Sequence, residues 1–465
     1  MSAPLLWIVL PVSASVWLLL SPRVRSAARG GAALSLFLAL LAWQLPIEQP
    51  IRVTGRWGFR LAAEMHILGR ALIIPDAARP WLVWFFLALA LWLGGAAVAR
   101  MEPTFVGLAL IVVFSLMVAL FIRPFLYAAL LIETAALLAV PLLVPPGSPP
   151  GSGVLRFLTF QTMGMPFILL TGWMLVGTET SLPGSAFALR ATVLLGVGFA
   201  LLLGVFPFHS WMPMLTEEVH PYAAAFVLTA VTGILGILGL GFLERYNWLR
   251  HAPTVYTWLA AVGALTVALA GVLAAFQTHA GRVLGYGVMM EVGLGLLALG
   301  QGGSEGARLF FALWPGKVVL FNLWSLSLTG LGRRRDGLSY RDLAGLGRHY
   351  PLLTAGALVS ILGVAGAPLL AGLPGGLSLW QTAAGHPWIL GGLAIGSMGF
   401  AAAATRLLGA LVVGHTATPW RMREHADEKV WMLGLLFTLP LLALFPQSWW
   451  LQAQKMLAWF PHLAR

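Results

Sequence analysis

The chain has 465 residues, of which 59% are hydrophobic and only 9% are charged, whereas soluble domains carry about 25% charged residues. This composition predicts a polytopic helical membrane protein. The net charge of +12 is scattered through short loops, which is typical of loops beside lipid headgroups and argues against nucleic-acid binding. Cysteine is absent, which excludes disulfides, thiolate catalysis and iron–sulfur ligation by this chain.

Windows of about twenty apolar residues, the length that crosses a bilayer, predict fourteen transmembrane helices. They fall near residues 4–22, 29–46, 79–99, 104–122, 124–144, 155–177, 188–208, 221–243, 254–276, 281–301, 307–331, 351–373, 387–414 and 430–450. The first window has no basic segment before it and no small-residue cleavage site, so we expect a retained span rather than a signal peptide.

All connections but one are expected to be short. The exception is residues 47–78, in which residues 51–57 predict an extramembrane strand pair with a glycine turn. Basic residues favour an orientation in which the loops near residues 23–29, 333–348 and 421–429 are cytoplasmic and both termini are outside.

The seventh predicted span is interrupted at residues 204–213, where Pro207, His209 and Pro213 replace the leucines of a simple helix. Proline lacks a backbone donor, and carbonyls freed at membrane depth must be satisfied by protein or water. We therefore expect this break to line a polar cavity or to pack deep in the protein. Pro315 and Pro368 predict further helix breaks.

The breaks in the seventh and twelfth spans lie five spans apart. Interrupted spans at corresponding positions are typical of inverted repeats, which here would comprise spans 4–8 and 9–13. The alternative is that glycine and proline are simply common in membrane helices.

Glu133, Glu291 and Lys317 are ionisable residues that lie well inside predicted spans. A charge at the bilayer centre costs about 3 kcal/mol on insertion scales, so its protonation depends on its neighbours, as a proton-carrying site requires. A buried lysine can lose its proton, whereas arginine cannot, and His209 can both give and take one. The alternatives are neutral carboxyls bonded between helices, a lysine extended to the interface and a structural histidine.

Glu217, Glu218 and His220 follow the break and could form the entrance of a proton path; the alternative is a solvated loop and helix N-cap. No metal-ligand spacing, phosphate-binding loop or nucleophile–base pair occurs in the sequence. We therefore expect no metal and no cofactor, and no chemistry on a substrate by this chain alone.

Residues 206–213 resemble the proline–phenylalanine–histidine–x–tryptophan–leucine–proline motif of the antiporter-like subunits of respiratory complex I, membrane-bound hydrogenases and multi-subunit Na⁺/H⁺ antiporters. Glu133 matches the family's fifth-span glutamate. Residues 282–286, 317–321, 342–351 and 366–372 resemble further family segments in the same order. The resemblance covers about residues 100–400 and implies an all-α fold of fourteen helices with two inverted five-helix repeats that contain broken helices.

This resemblance also implies domain boundaries. Residues 1–100 would form helices 1–3, residues 101–245 the first repeat, residues 246–415 the second repeat, and residues 416–465 a C-terminal helix and tail.

The chain also departs from the family. Leu202 and Ile234 align with family lysines of the seventh and eighth spans, and Glu291 aligns with a tenth-span histidine. A twelfth-span charge falls at Gly375 or Gly376. Glu133 therefore lacks the lysine that the resemblance implies as its partner. Water could fill the gaps, the path could be lost, or it could run only through Glu291 and Lys317.

The resemblance implies a multi-pass subunit of the inner (cytoplasmic) membrane, within a complex related to NADH:quinone oxidoreductase or a membrane-bound hydrogenase. It would take part in translocation of protons or Na⁺ while other membrane subunits and peripheral redox subunits transfer electrons. Two alternatives stay open: a stand-alone secondary transporter of a small solute, and a structural membrane scaffold.

Overall fold

The computed structural model describes residues 2–54, 57–175, 186–335, 337–367, 370, 375–412 and 420–464. Within these residues, eleven helices are long and apolar enough to cross a membrane, or twelve if one bent helix pair counts as a span. The prediction of an all-helical polytopic membrane fold is therefore confirmed.

The helices follow the apolar windows of the sequence. In chain order they are α1 (Leu10–Leu19, which continues a π-helical segment at Leu5–Val9), α2 (Val24–Gln44), α3 (Arg79–Gly95), α4 (Thr104–Phe121), α5 (Leu126–Leu143), α6 (Ser152–Met174), α7 (Ala186–Leu203), α8 (Trp211–Glu218), α9 (Pro221–Arg245), α10 (Asn247–Arg250), α11 (Pro253–Ala275), α12 (Ala280–Gly300), α13 (Gly303–Gly332), α14 (Pro351–Val364), α15 (Gly375–Ala383), α16 (Pro387–Val412), α17 (Ala426–Leu444) and α18 (Pro446–Leu457).

The long connection between α2 and α3 folds into strands. β1 (Pro50–Thr54) pairs antiparallel with β2 (Trp57–Arg60), which confirms the predicted strand pair. The predicted glycine turn falls on Gly55 and Arg56, which lie outside the described residues. β3 (Glu64–Ile67), β4 (Arg70–Ile73) and β5 (Ile122–Arg123) form a second antiparallel sheet in the order β3-β4-β5. Strand pairing thus satisfies part of the backbone of this segment without a membrane helix.

Two expectations about the connections and the last span were wrong. The segment between α13 and α14 is also long, since α13 ends at Gly332 and α14 begins at Pro351. The last span does not run straight to residue 450, because α17 and α18 are bent by 83° at their junction. Helix α18 then packs against α13 and α3, so its apolar face is buried on the protein rather than extended through the bilayer.

α9 and α13 are the most enclosed of the long helices, with 83% and 89% of their central apolar windows buried. Both contact α12, and they contact each other. A helix that is apolar on all sides is stable only inside a bundle or in lipid. Polar side chains on these two helices are therefore placed where water from bulk solution does not reach them directly.

The arginine-rich loops meet at one end of the molecule. Arg25 forms an ion pair of 3.2 Å with Asp427, and Arg334 donates two hydrogen bonds of 2.8 and 2.9 Å to the carboxylate of Glu428. The backbone N–H of Arg421 donates to the carbonyl of Arg348. The loops that the sequence assigned to one side of the membrane thus lie together.

Candidate functional site

The interruption of the seventh span is made by a glycine. α7 ends at Leu203, and Gly204 takes a left-handed conformation with φ of 60°. The N–H of Gly204 donates to the carbonyl of Leu201 and that of Val205 to the carbonyl of Ala200, which is the Schellman arrangement that closes a helix. Pro207 follows this stop, and a 3₁₀ turn at Phe208–Ser210 leads into α8.

Pro213 does not lie in the gap. It is the third residue of α8, where its missing N–H is one of the first-turn donors that have no partner within a helix. The prediction that Pro213 breaks the helix was therefore wrong. Pro207 lies in the gap, after α7 has already ended.

A side chain satisfies one carbonyl at the end of α7. The Nε2 of Gln161 on α6 donates to the carbonyl of Leu202 at 3.0 Å, and both residues are buried. This contact supplies the protein partner that a freed carbonyl needs at membrane depth. The expectation of an enclosed break holds for residues 201–205, whereas Phe206 and Pro207 are exposed on the surface of the chain.

The twelfth span is closed in the same way. α14 ends at Val364, and Gly366 has φ of 81°. The N–H of Gly366 donates to the carbonyl of Gly363 and that of Ala367 to the carbonyl of Leu362. The predicted break at Pro368 lies outside the described residues.

Pro315 is not a helix break. α13 continues through it from Gly303 to Gly332. Proline is tolerated inside membrane helices when neighbouring helices supply the lost interactions, and α13 is surrounded by α9, α12 and α14. The prediction that Pro315 breaks the helix was wrong because the local sequence does not show how α13 packs on its neighbours.

Glu291 and Lys317 come together in the interior. Both are buried, with 9% and 8% of their surfaces exposed, and both line one cavity of about 30 Å³ between α12, α13, α14, α15 and α16. The Nζ of Lys317 donates to the Oγ1 of Thr232 on α9 at 3.1 Å. A cavity of about 10–15 Å³ suffices for one water, so the Glu291–Lys317 pair has room for a bridging water molecule.

Glu133 lies apart from that pair, on α5. Its Oε1 accepts a hydrogen bond of 2.7 Å from the hydroxyl of Thr162 on α6, and its Oε2 is buried with no partner among the described residues. Leu202, which stands where the family has a lysine, packs on the same part of α6, since a Cβ at Gly164 would lie 2.7 Å from its Cγ. Glu133 is thus held by a neutral hydroxyl.

His209 lies at the break, stacked on Phe206 with ring centroids 5.8 Å apart. Its Nδ1 is buried and finds no hydrogen-bond partner in the described part of the chain. The imidazole is therefore close to the surface-exposed side of the break and does not belong to the Glu291–Lys317 cavity.

The three residues of the predicted entrance are engaged in helix-end contacts. Glu217 accepts a hydrogen bond of 2.7 Å from the Nε of Arg282 at the start of α12. Glu218 accepts from the Ser152 hydroxyl and the Gly153 N–H at the start of α6, where a carboxylate is favoured by the helix dipole.

His220 caps α9 by accepting from the N–H of Tyr222 at 3.3 Å. Burial and then the positive charge of Arg333 lower the pKa of His220 from 6.5 to about 4. The imidazole is therefore neutral at neutral pH, which its role as a hydrogen-bond acceptor at the N-cap requires.

Three polar residues that contact the site were missed from the sequence: Gln161, Thr162 and Thr232. Their only signal was a polar side chain in an otherwise apolar helix, which many membrane helices contain. Across the described ranges, no three His, Cys, Asp or Glu side chains are grouped so that they could hold a metal ion.

These features define a class of protein. The chain is a multi-pass helical membrane protein with spans closed by glycine stops at depth and an acid–base pair buried between helices, as in transporters and ion-translocating subunits.

Comparison with known proteins gives the family. A family model described as NADH:quinone oxidoreductase/Mrp antiporter, transmembrane, matches residues 162–401, which is more than half of the chain. The chain belongs to this family of antiporter-like membrane subunits, as the resemblance of its motifs predicted.

Among curated proteins, the chain is similar to NADH-quinone oxidoreductase subunit N of Parafrankia sp., with 29% identity over 41% of this chain and 36% of the relative. It is also similar to formate hydrogenlyase subunit 3 of Escherichia coli, with 31% identity over 41% of this chain and 33% of the relative. The chain thus spans about a third of the length of these relatives.

A chain in the structure of respiratory complex I from Thermus thermophilus with bound NADH superposes with a TM-score of 0.79. The match covers 99% of both chains at 21% identity. At this level of identity the similarity establishes a shared fold.

Proposed function

We propose that the chain is an antiporter-like subunit of an energy-converting complex in the cytoplasmic membrane and takes part in proton translocation. Electron transfer in peripheral redox subunits would drive the translocation, and further membrane subunits would complete the pathway. Family membership and the names of the two curated relatives support this assignment. The chain itself would hold no redox cofactor, and the ion could be Na⁺ in place of the proton.

The observation that carries the proposal is the buried Glu291–Lys317 pair. Two buried ionisable groups of opposite sign line one water-sized cavity between helices. Transfer of a proton from the ammonium to the carboxylate neutralises both groups, so the pair can change state without leaving an isolated buried charge. An acid–base pair of this kind can bind and release a proton when a conformational change alters its surroundings.

Glu133 and His209 are proposed as further sites on the path, with Glu217, Glu218 and His220 at its entrance. Glu133 is bonded to Thr162 rather than to a cation. It would therefore contribute less than Lys317 to coupling, because a neutral partner cannot respond to its charge as a lysine does. This arrangement supports a path that depends mainly on Glu291 and Lys317.

We further propose fourteen spans. They would be the eleven long helices, the bent pair α17–α18, and the two shorter apolar helices at Leu5–Leu19 and Pro351–Val364. The domain boundaries at residues 100, 245 and 415 then separate three N-terminal spans, two groups of five, and the C-terminal helices.

The packing of the two groups supports an inverted repeat. α4 packs on α5 and α9, as α11 packs on α12 and α16; α6 packs on α7 and α8, as α13 packs on α14 and α15. The glycine stops at Gly204 and Gly366 then occupy equivalent spans, as do Glu133 and Glu291. Because five is an odd number of spans, the second group would have the opposite orientation.

The function is tested by replacing Lys317. We expect Lys317→Met in the assembled complex to lower proton translocation at least tenfold, about 1.4 kcal/mol in barrier terms, because the acid–base pair is lost. The measurement is acidification of inverted membrane vesicles per electron-transfer turnover. Lys455→Met is the matched control, since Lys455 is exposed on α18.

Translocation equal to the unmodified complex in Lys317→Met would contradict the proposal. Purification in mild detergent followed by mass spectrometry separates the remaining alternatives. Co-purification of redox subunits supports the proposal, whereas a lone chain active in liposomes would identify a stand-alone transporter.

A further inference from the structure

A pocket of about 540 Å³ lies between the C-terminal ends of α4 and α9. Its size falls within the range of about 300–1,000 Å³ that small-molecule sites occupy. Strand β4 contributes Ile73 to its wall, and the segment after α18 contributes Trp459. We name this cavity the α4–α9 pocket. It has no lining residue in common with the cavity of Glu291 and Lys317.

The α4–α9 pocket lies at the level where helices leave the membrane. α4 ends at Phe121 and is followed by β5, which pairs with β4 of the extramembrane sheet. Tyr246 and Trp459 line the pocket there, and these residue types gather at membrane–water interfaces. Ile237 also lines it, about 12 Å before Arg245 along α9 at 1.5 Å per residue. The pocket therefore extends from the extramembrane sheet into the apolar level of the helices.

The inner wall of the pocket is apolar. It is formed by the buried side chains of Leu120, Ile237, Leu238 and Phe242. Gly241 lies between them on α9, and a Cβ there would meet no atom within 4 Å, so the space in front of this glycine is open. Such a wall suits a hydrocarbon chain and offers nothing to a free, hydrated ion.

The rim of the pocket carries positive charge. Arg123 and Arg245 line it and are exposed, and a guanidinium group presents its N–H donors in a fork that matches phosphate oxygens. The carboxylate of Glu244 also lines the pocket but is only 15% exposed. It accepts hydrogen bonds from the backbone N–H groups of His462 and Leu463, so its charge is engaged by the C-terminal segment. The exposed rim therefore favours an anion.

The order of these surfaces matches the order of groups in a membrane lipid, with an apolar depth, an aromatic level and a cationic rim. We propose that the α4–α9 pocket binds one anionic phospholipid. Its phosphate would lie at Arg123 and Arg245, and an acyl chain would run along Leu120 and Ile237.

The bound lipid would also hold the C-terminal segment on the first group of helices. Trp459 lines the pocket and stacks on Phe121 at the end of α4, with ring centroids 5.1 Å apart. A lipid in the pocket would therefore contact α4, α9 and the segment after α18 at once. None of the lining residues belongs to the proposed proton path, so this inference does not rest on the proposed function.

The test measures lipid binding to the full chain purified in detergent. Phosphatidylglycerol is expected to raise the unfolding temperature and to remain bound in native mass spectrometry. Phosphatidylcholine with the same acyl chains lacks the net negative charge, and inorganic phosphate lacks the acyl chain. We expect each of these two probes to bind at least tenfold more weakly than phosphatidylglycerol.

Two kinds of variant separate the headgroup from the acyl chain. Arg123→Gln with Arg245→Gln removes the charge of the rim and is expected to weaken phosphatidylglycerol binding at least tenfold, whereas Arg123→Lys with Arg245→Lys keeps the charge and is expected to retain most of it. Gly241→Leu fills the open space at the inner wall and leaves the rim unchanged. It is expected to weaken binding to a similar extent.

Arg190→Gln and Gly434→Leu are the matched controls. Arg190 is exposed on α7, outside the pocket. Gly434 is a helical glycine of α17 at which a Cβ would meet no atom within 4 Å. Both variants are expected to bind phosphatidylglycerol like the unmodified chain, and losses as large as those of the pocket variants would overturn the proposal.

The probes and variants also define the other contrary results. Equal binding of phosphatidylcholine would remove the role of the charged rim, and equal stabilisation by inorganic phosphate would remove that of the apolar wall; either result overturns the proposal. Full binding in Gly241→Leu would place the lipid on the surface instead of in the pocket and would also overturn it. This last arm still decides the question if the arginine-to-glutamine variant does not fold.

Discussion

At the scale of single residues, the surroundings of each ionisable group separate residues that look alike in sequence. Glu133 and Glu291 are both acids within apolar helices, yet Glu291 shares a cavity with Lys317 while Glu133 bonds to the hydroxyl of Thr162. A carboxyl beside a lysine can exchange a proton with it, whereas a carboxyl beside a hydroxyl only gains a hydrogen bond. Glu291 is therefore the stronger candidate for coupling.

His220 gives a prediction about pH at the same scale. Its pKa is lowered to about 4, so between pH 6.5 and 4 the unfolded chain binds a proton that the folded chain does not. Stability is then fully present above pH 6.5 and is lost as the pH falls towards 4. The shift corresponds to at most about 3 kcal/mol, and partial exposure reduces this to about 2 kcal/mol.

The measurement is thermal unfolding of the purified chain in detergent at pH 7.5 and pH 5. His220→Asn keeps an N-cap acceptor without a titratable group, and we expect it to lose less stability on acidification than the unmodified chain. Equal losses in both proteins would show that another group controls the acid sensitivity.

At the scale of elements, glycine rather than proline ends the broken helices. Gly204 and Gly366 both adopt the left-handed conformation and close their helices with the same pair of hydrogen bonds. Pro315, by contrast, lies within a helix that continues past it. A proline removes one hydrogen bond, which packing can offset, whereas a left-handed residue redirects the chain.

This difference predicts the effect of Gly204→Ala. A side chain costs about 1–2 kcal/mol in the left-handed conformation, and a Cβ at Gly204 would also lie 2.7 Å from the Cε of Met212. We expect destabilisation by about 2–3 kcal/mol, measured as a lower unfolding temperature in detergent. Gly196→Ala is the control, since a Cβ there meets no atom within 4 Å.

If Gly196→Ala destabilised the chain as much as Gly204→Ala, the helix stop would not be the cause. Reduced proton translocation in Gly204→Ala at normal expression would further connect the geometry of the break with function.

At the scale of the whole molecule, distant loops are joined by charge. Ion pairs connect the start of α2 and the segment just after α13 to the start of α17. At the C-terminal end of α9, Glu244 accepts hydrogen bonds from the backbone N–H groups of His462 and Leu463. The C-terminal segment is thus tied to the first group of helices, although α18 packs on α13.

Positive charge predicts the orientation of the molecule. Arginine-rich loops stay cytoplasmic, so residue 422 should lie inside and residue 68 outside. The natural chain has no cysteine. A single introduced cysteine therefore shows which side of the membrane its residue faces, because no other position can be labelled. Leu68 and Met422 are 95% and 62% exposed.

We expect Leu68→Cys to react with a membrane-impermeant maleimide from outside, and Met422→Cys to react only after permeabilisation. The reverse pattern would invert the orientation. Labelling of both from outside would contradict the predicted sidedness of the loops altogether.

The sequence by itself determined the class, the family and most helices. Apolar windows about twenty residues long have few alternatives to crossing a bilayer as helices, and the strand pair after α2 followed from β-forming residues around a glycine. The candidate residues Glu133, Glu291 and Lys317 were also visible, because a charge within an apolar run is conspicuous.

Only the tertiary structure decided how these parts act together. It kept α13 continuous at Pro315, bent the last span at Phe445, and joined Lys317 to Thr232 across 85 residues of sequence. Such outcomes depend on which helix faces meet, and helices that are apolar on every side have no periodic pattern to indicate their neighbours.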